Sequence, residues 1–320
     1  MFFPAGFYYK TFMWPPSFWY KIYEPFIRMA AGFGEASIKH DKERYEHKYE
    51  YCDLLITGSG PSGLASAYAA AKNGARVILA EDKPRFGGSL LTSDVNIGNQ
   101  TGVEWTEKII AELRSMPNVT VKNRSQVFGY YDHNMLVMSE RISDHLPKTQ
   151  KYLPKQRLWY IRANEVLISS GSIERPLVFG NNDTPGVMLS SAAKEYMKVY
   201  GVLVGKKPLI FTNNDSGYET AIEFKKNGVN PIILDTRINP SSDIITEAKN
   251  LNIEIKFSYV VVAAKGYKKV KSADVAKISD DKKELFTIEN IECDCICVSG
   301  FWTPSIHLAS QSGLSLIHIS

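Results

Sequence analysis

The strongest pattern along the chain is an apolar segment, an alanine-rich segment and a second apolar segment in close succession. Residues 52–57 form a short apolar run, which is typical of a strand buried in a parallel sheet. Residues 64–73 are rich in alanine and predict a helix, which Gly74 ends. Residues 75–80 predict the next strand, so the stretch as a whole predicts a β-α-β unit about 30 residues long.

The rest of the chain continues this alternation of strands and helices. Residues 104–116 are amphipathic and predict a helix, and residues 127–141 alternate as a small β-meander does. Residues 159–170 predict a further strand. Residues 208–235 repeat the strand, helix and strand of the first unit, and residues 293–300 predict a last apolar strand that returns the chain to the first domain. The pattern therefore predicts an α/β protein with an internal repeat.

Three glycines occupy the predicted turn between the first strand and its helix. Gly58, Gly60 and Gly63 have the G-x-G-x-x-G spacing, with Pro61 and Ser62 inside it. The first glycine permits a tight turn, the second lets a pyrophosphate approach the backbone, and the third lets the helix lie close to the sheet. The helix N-terminus offers free N–H groups and the positive end of its dipole to phosphates. We therefore predict a dinucleotide site at this turn.

Two further features follow the second strand of this unit. Glu81 ends the strand, where a carboxylate accepts hydrogen bonds from ribose hydroxyls and repels a 2′-phosphate, which favours NAD over NADP. Gly87, Gly88, Ser89 and Leu90 then form a G-G-x-L cluster. Flavoproteins of the glutathione-reductase type often carry such a cluster at this point. The alternative is a helix N-terminus that uses glycine without binding a ligand.

The repeated unit has lost most of these glycines. Its turn, residues 212–217, reads Thr-Asn-Asn-Asp-Ser-Gly, so only Gly217 remains. Asn and Asp tolerate left-handed backbone conformations, which lets the turn form. Their Cβ atoms crowd the path of a pyrophosphate, however, and Asp215 adds negative charge. We predict that the second domain keeps the fold and has lost nucleotide binding.

Together these elements predict a Rossmann-like fold with two dinucleotide-binding domains of the glutathione-reductase type, a small β-meander and an aromatic N-terminal arm. We expect the arm and a linker at residues 1–48 and the nucleotide-binding domain at residues 49–180 with 291–313. The second, degenerate domain is expected at residues 181–290, and a non-native tail at residues 314–320.

The N-terminal arm is unusually aromatic. Its 13 aromatic side chains are Phe2, Phe3, Phe7, Tyr8, Tyr9, Phe12, Trp14, Phe18, Trp19, Tyr20, Tyr23, Phe26 and Phe33. Because so many aromatic side chains do not all face water, we expect the arm to pack on the following domain or on another subunit. The charge-rich residues 39–51 are predicted to be a solvated linker.

Composition narrows the classes of function. The chain has 320 residues and a net charge of +4, which excludes a strongly basic nucleic-acid binder and an acidic disordered tail. No run approaches 18 apolar residues, so no transmembrane helix is predicted. Four cysteines in a chain of this length fit a reducing compartment, and we expect a cytoplasmic location.

Two groups of residues of chemically reactive types, three cysteines and a neighbouring Glu and Arg, are predicted to have structural roles. Cys293, Cys295 and Cys297 alternate, so we expect them on one side of a strand, as buried side chains and not as a metal site. Glu174 and Arg175 lie at the crossover between the domains, and we expect a buried ion pair there. No catalytic residue is predicted.

The chain resembles the alpha subunits of heterotetrameric sarcosine oxidase over residues 5–313. The most specific stretch is residues 182–189, Asn-Asp-Thr-Pro-Gly-Val-Met-Leu. Further matching stretches are Lys-Thr-Phe-Met-Trp-Pro at 10–15, Tyr-Glu-Pro-Phe-Ile-Arg at 23–28, Ile-Glu-Arg-Pro at 173–176, Thr-Asn-Asn-Asp-Ser at 212–216 and Trp-Thr-Pro-Ser-Ile-His-Leu at 302–308. Alpha subunits of opine and hydroxyproline dehydrogenases share the Glu-Arg-Pro and Pro-Gly-Val stretches but not the paired Asn-Asp segments.

This resemblance implies a division of labour between subunits. NAD would bind in the first domain of alpha, and a secondary amine such as sarcosine would be oxidised on FAD in a beta subunit. Electrons would pass through FMN near the alpha–beta interface to oxygen, and tetrahydrofolate on a C-terminal domain of alpha would accept the one-carbon product. Gamma- and delta-type subunits would complete the assembly. The family's N-terminal ferredoxin-like domain and its folate domain lie outside this sequence, and residues 314–319 break the family pattern, so we expect an incomplete reading frame.

The resemblance also carries NAD contacts over to this chain by position. They fall on Ser62, Glu81, Asp82, Lys83, Ser89 and Val127. With the two glycine clusters and the strand-end glycines, the expected cofactor-binding set is Gly58, Gly60, Pro61, Ser62, Gly63, Glu81, Asp82, Lys83, Gly88, Ser89, Leu90, Val127, Gly171 and Gly300. The main alternatives are a self-contained FAD-dependent oxidoreductase, an opine or hydroxyproline dehydrogenase alpha subunit, and a scaffold without a nucleotide.

Overall fold

The computed structural model describes residues 14–32, 34, 36–147, 152–279 and 284–313. The chain forms two compact units, Met1–Glu43 and Arg44–Ser320. In the described part of the first unit, two short turns of helix lead into helix α1 (Glu24–Ala30), and none of their residues is buried. The aromatic residues before Trp14, Phe33 and the expected tail lie outside the described residues. The predicted packing of the arm therefore stays a prediction.

The second unit alternates strands and helices as the sequence predicts. Its strands are β1 (Tyr45–Thr57), β2 (Val77–Ala80), β3 (Asn96–Ile97), β4 (Gln100–Thr101), β5 (Val119–Lys122), β6 (Ser125–Tyr131), β7 (Met135–Arg141), β8 (Gln156–Ile168), β9 (Ser172–Arg175), β10 (Val187–Leu189), β11 (Pro208–Thr212), β12 (Ile232–Asp235), β13 (Glu254–Phe257), β14 (Tyr259–Lys265), β15 (Ser272–Ile278), β16 (Leu285–Glu292), β17 (Cys295–Ser299) and β18 (Phe301–Pro304). Its helices are α2 (Pro61–Lys72), α3 (Gly102–Ser115), α4 (Ser190–Tyr200), α5 (Ser216–Lys226), α6 (Asp243–Asn250) and α7 (His307–Gln311).

The first sheet contains the predicted β-α-β unit and the predicted meander. Its strand order is β5-β2-β1-β8-β7-β6, in which β5, β2, β1 and β8 are parallel and β8, β7 and β6 are antiparallel. One face packs on α2 and α3 through an apolar cluster that includes Leu64, Leu79 and Leu113. The other face is covered by side chains of the meander, among them Met138 and Trp159. Strand β2 and the carboxyl end of β1 are therefore buried on both faces, as a parallel α/β sheet requires.

The prediction of a linker was wrong from Tyr45 onward, where strand β1 begins, although none of residues 45–51 is buried and the prediction that they are solvated is confirmed. β1 pairs with β8 along almost its whole length. Its polar residues find partners across the ladder: Arg157 donates to Glu46 at 2.9 Å, and Tyr49 stacks on Tyr160 with ring centroids 5.1 Å apart. Such cross-strand pairs stabilise a strand whose side chains are mostly polar.

The second sheet has the order β10-β17-β11-β12-β13, and its strands are all parallel. Strand β11, helix α5 and strand β12 confirm the predicted repeat of the first unit. Helices α4 to α6 cover one face, and the antiparallel strands β14, β15 and β16 form a separate small sheet whose apolar side chains pack on the other.

The last predicted strand was assigned to the wrong sheet. Residues 295–299 form β17, which lies between β10 and β11 in the second sheet. After Gly300, β18 pairs with β9 in a separate two-stranded sheet. The chain then reaches the first sheet, where the Gln311 side chain on α7 accepts a hydrogen bond from Tyr130 N of β6 at 2.9 Å. An apolar run shows that a strand is buried on both faces but does not identify the sheet that buries it.

The expectation that three cysteines share one side of a strand was also wrong. Cys295 and Cys297 pack in the cluster beneath helices α4 to α6, whereas Cys293 packs in the cluster on the opposite face. The chain bends at Cys293 and Asp294, between β16 and β17, which breaks the two-residue period. The four cysteines are free and buried. Within the described ranges, no group of three or more His, Cys, Asp or Glu side chains is arranged to hold a metal ion.

Among the described residues, no helix is both long enough and apolar enough to cross a membrane.

We expect the thiols to be unreactive in the folded protein. Burial raises the pKa of Cys52 and of Cys293 to about 12, so neither forms a thiolate near neutral pH. An aromatic disulfide reagent should therefore label no cysteine in native protein, and four after denaturation in guanidinium. Rapid labelling of any thiol under native conditions would contradict this packing.

Candidate functional site

The turn between β1 and α2 has two glycines that the fold itself requires. Gly58 has a φ of +98°, and a Cβ there would lie 2.3 Å from the carbonyl oxygen of Ser169. A Cβ on Gly63 would lie 2.0 Å from the carbonyl oxygen of Gly58. Both positions bring backbone against backbone, so a larger residue would displace the helix or the neighbouring strand.

Gly60 is different, because the fold does not require a glycine there. Its φ is −66°, and a Cβ on it would have no atom within 4 Å. Gly60 is the N-cap of α2, Pro61 follows it and Ser62 is exposed beside it. No side chain among the described residues caps this helix. The space in front of Gly60 therefore adjoins N–H groups and a positive dipole end, which suits a phosphate.

The second glycine cluster lies directly on the first. A Cβ on Gly88, which has a φ of +53°, would lie 2.9 Å from the Cα of Gly60. Gly87 N donates to the carbonyl oxygen of Ser59 at 3.0 Å. The short 3₁₀ helix Gly88–Leu91 follows; in it Ser89 is exposed and Leu90 is buried. The two glycine loops thus border the same opening at the carboxyl end of β1.

Glu81 lies behind these loops and is almost fully buried. Its Oε2 accepts hydrogen bonds from Ser59 N at 2.9 Å and from Ser59 Oγ at 2.5 Å, and its Oε1 accepts one from Lys83 N at 3.0 Å. Burial raises the pKa of Glu81, and the neighbouring Asp82 carboxyl acts in the same direction, while the donors from Ser59 and Lys83 oppose the rise. A carboxylate oxygen accepts two hydrogen bonds, so Oε1 has capacity for a ribose hydroxyl.

The remaining residues carried over from the resemblance surround this acid. Asp82 is exposed, and its carbonyl oxygen accepts from Arg141 at 2.7 Å. Lys83 Nζ forms an ion pair of 3.0 Å with Glu195 on α4, so this side chain joins the first sheet's loop to a helix of the second. Val127 on β6 packs against the apolar cluster that contains Ala80 at the end of β2. The structure therefore brings these predicted residues to one sheet edge.

The two strand-end glycines serve the connection between the sheets. The carbonyl oxygen of Gly171 accepts from Ser305 N at 2.9 Å. Gly300 N donates to the carbonyl oxygen of Arg175 at 2.7 Å, and a Cβ on Gly300 would lie 2.5 Å from that oxygen. Close backbone contact at the β9–β18 crossover accounts for glycine at position 300, and a cofactor contact at either glycine stays a prediction.

The expected ion pair between Glu174 and Arg175 is not formed. Successive residues of a strand point to opposite faces, so Glu174 on β9 is buried and Arg175 is exposed. Glu174 Oε2 instead accepts from Ser191 N, at 2.7 Å, in the first turn of α4. This carboxylate caps the helix and suits the positive end of its dipole.

The turn of the second unit is closed by its own side chains. Asn214 occupies the position that corresponds to Gly60; its Oδ1 accepts from Ser216 N at 2.9 Å and its Nδ2 donates to Ser299 O at 3.2 Å. Gly217 keeps the close helix contact, since a Cβ there would lie 2.7 Å from the Cβ of Thr212. The turn therefore keeps its shape while the space in front of it is filled by an amide.

The acid that ends β12 is also satisfied by the protein. Asp235 is fully buried and accepts from Tyr218 Oη at 2.7 Å and from Arg237. Arg237 also reaches Asp215 Oδ1 at 2.8 Å. Burial and the bond to Asp235 raise the pKa of the Tyr218 hydroxyl.

Sequence reasoning missed two residues of these sites, Ser59 and Arg237. For Ser59 the signal was a hydroxyl residue between the first two glycines of the motif. For Arg237 it was a base two residues after an acidic strand end.

Comparison with known proteins agrees with this geometry. Residues 53–140, which include both glycine loops and Glu81, match the model of the FAD dependent oxidoreductase family. The chain is 42% identical to the alpha subunit of a sarcosine oxidase of Rhizobium meliloti (strain 1021), over 97% of this chain and 30% of the relative. It is 34% identical to the corresponding alpha subunit of Corynebacterium sp. (strain P-1), over 88% and 29%. One subunit of an opine oxidase of Agrobacterium tumefaciens (strain Ach5) is 26% identical over 51% and 33%.

Solved structures share the fold at low sequence identity. A thioredoxin reductase of T. acidophilum aligns with a TM-score of 0.63 and 17% identity, covering 83% of this chain and 82% of that one. An L-proline dehydrogenase of P. horikoshii aligns with a TM-score of 0.59 and 19% identity, covering 88% and 48%. The chain spans about three-tenths of the length of the curated sarcosine oxidase subunits that it matches. The chain has a Rossmann-like nucleotide-binding fold, and over that part of their length it belongs to the family of sarcosine oxidase alpha subunits.

Proposed function

We propose that this chain binds NAD in its first domain, as part of the alpha subunit of a sarcosine oxidase-like amine oxidase. The observation that carries the proposal is the opening in front of Gly60, where a Cβ would meet no protein atom. The second glycine loop borders this opening and Glu81 lies behind it. A glycine that the fold does not need, beside an uncapped helix N-terminus, fits the close approach of a pyrophosphate.

The second domain supports the proposal that this chain binds one nucleotide and not two, because its own turn is closed. Asn214 and the Arg237 bridge fill the corresponding positions there with protein hydrogen bonds. A chain that passed electrons from a nicotinamide to a flavin by itself would need two open sites. We therefore place oxidation of sarcosine or a related secondary amine on flavin in a beta-type partner subunit, with FMN, oxygen and tetrahydrofolate in the roles that the family implies. The relatives' names as subunits support the existence of such partners.

Binding of FAD in the first domain is the second candidate. It is favoured by the family model, whose matched residues include both glycine loops and Glu81. The same loops would hold the adenosine diphosphate part that NAD and FAD share, so the geometry of this end of the site does not choose between them.

Identification of the ligand decides between the two cofactors. The chain is purified gently and denatured, and the released small molecule is identified by mass and absorbance. We expect NAD without flavin, because the resemblance to sarcosine oxidase alpha subunits implies NAD in this domain. Release of FAD would overturn the NAD assignment and make this chain a flavin carrier. If nothing is released, titration of the protein with NAD and with FAD makes the same decision, and absence of binding to both would contradict nucleotide binding.

A pair of glycine variants separates ligand binding from folding. Gly60→Ala should change the free energy of unfolding by less than about 1 kcal/mol, because its backbone suits any residue. It should weaken NAD binding on the order of tenfold or more, because the methyl group enters the pyrophosphate path.

Gly63→Ala should instead affect the stability of the fold. Its Cβ would overlap the carbonyl oxygen of Gly58, so we expect a loss of unfolding free energy on the order of 3 kcal/mol. Thermal unfolding and NAD titration of both variants provide the measurement. Unchanged NAD affinity in Gly60→Ala would contradict the proposed position of the pyrophosphate.

A further inference from the structure

The proposed nucleotide site has three parts: the first glycine loop, the second glycine loop and Glu81. Ser59 belongs to the first loop and contacts both of the other parts. It lies between Gly58 and Gly60 and is fully buried. Its N–H and its hydroxyl both donate to Glu81 Oε2, at 2.9 and 2.5 Å. Its hydroxyl and carbonyl oxygens both accept from Gly87 N, at 3.3 and 3.0 Å.

These contacts form a short chain of hydrogen bonds through one hydroxyl group. Gly87 N–H donates to Ser59 Oγ, and Ser59 Oγ–H donates to Glu81 Oε2. Hydrogen bonds in such a chain polarise one another, and a bond to an ionised acceptor is stronger than a neutral one. Because Oε2 takes both donors of Ser59, the carboxylate is held with Oε1 turned away from that residue. Oε1 is then the oxygen that offers capacity to a ribose hydroxyl.

We propose that Ser59 is a positioning residue, which orients the Glu81 carboxylate for the adenosine ribose and couples it to the second glycine loop. This inference rests on the proposed nucleotide binding and assigns a role to a residue that the motif itself leaves unspecified.

Among the side chains around Glu81, the Ser59 hydroxyl is the group that stabilises the ionised carboxylate, and the neighbouring charged groups do not. Asp82, the adjacent acid, acts against ionisation, as burial does. Lys83 contributes its N–H to Oε1, but its ammonium group is paired with Glu195. On the neighbouring strand β5, the ammonium group of Lys122 lies 3.8 Å from Glu140, so it is paired with that acid and not with Glu81.

Arg141, from β7, binds the carbonyl oxygen of Asp82 and not the carboxylate of Glu81. The Ser59 hydroxyl lowers the pKa of Glu81, so its removal should raise that pKa further.

Ser59→Ala tests this role with little risk to the fold. Alanine fits the space of serine, Glu81 keeps the N–H donor of residue 59, and Gly87 N keeps the carbonyl oxygen as its acceptor. The dissociation constant of NAD is measured against pH on the acidic side of neutrality, together with the thermal unfolding midpoint. Ser115→Ala is the matched control, since it removes an exposed hydroxyl at the end of α3, away from both glycine loops.

The expected result has two parts. Ser59→Ala should bind NAD about tenfold more weakly near neutral pH, the loss expected when the ribose hydroxyl no longer makes its hydrogen bond to a correctly oriented Glu81 carboxylate. Ribose binding uses the ionised carboxylate, so affinity falls as pH falls through the pKa of Glu81. In Ser59→Ala this fall should begin at higher pH than in the parent protein, and Ser115→Ala should match the parent.

A double-mutant cycle with Glu81→Gln identifies the route of the effect. The amide does not titrate, so Glu81→Gln should lack the acidic fall, and adding Ser59→Ala should produce no pH shift in that background. A parent-like affinity and pH profile in Ser59→Ala would overturn the inference and leave nucleotide binding intact. A parent protein that binds neither NAD nor FAD would instead overturn the proposed function.

Discussion

Close contact between backbones at the carboxyl end of β1 is the constraint on which the site depends. Gly58 contacts the end of β8, Gly63 contacts Gly58, and Gly88 contacts Gly60. These contacts stack the two glycine loops and leave the N-terminus of α2 open between them. A Cβ at Gly58, Gly63 or Gly88 would lie within 3 Å of neighbouring backbone, so larger residues are excluded from the stack and the free N–H groups of α2 adjoin the opening. That composition suits phosphates, which backbone N–H groups bind without the bulk of a side chain.

Helix α4 links this site to the second sheet. Lys83, two residues after Glu81, pairs with Glu195 on α4. Asp94 pairs with Lys198 on α4 and with Lys226 on α5, and these lysines hold the pKa of Asp94 at about 2. At its N-terminus, the same helix is capped by Glu174 from the β9–β18 crossover. The loops around the nucleotide site and the crossover between the sheets therefore contact one helix.

The two repeated units show how one framework supports different chemistry. Both have a strand, a turn, a helix and a second strand that ends in an acid, and both keep the glycine at which helix meets strand. In the first unit the acid accepts donors from the glycine turn and one of its oxygens has spare capacity. In the second, Arg237 and Tyr218 bind the acid, and Asn214 fills the turn. The difference lies in side chains and not in the path of the backbone.

Much of this protein follows from the sequence alone, because periodicity and glycine spacing are local signals. Apolar runs and an alanine-rich helix identified the β-α-β unit and its repeat, and glycine spacing with a terminal acid predicted a nucleotide site in the first unit. The tertiary structure decided what depends on distant partners. It placed β17 in the second sheet, because burial on both faces does not name a neighbour. It made residues 45–51 part of β1, because Arg157 and Tyr160 supply partners from another strand. It also brought Ser59 to Glu81, 22 residues away, by pairing β1 with β2.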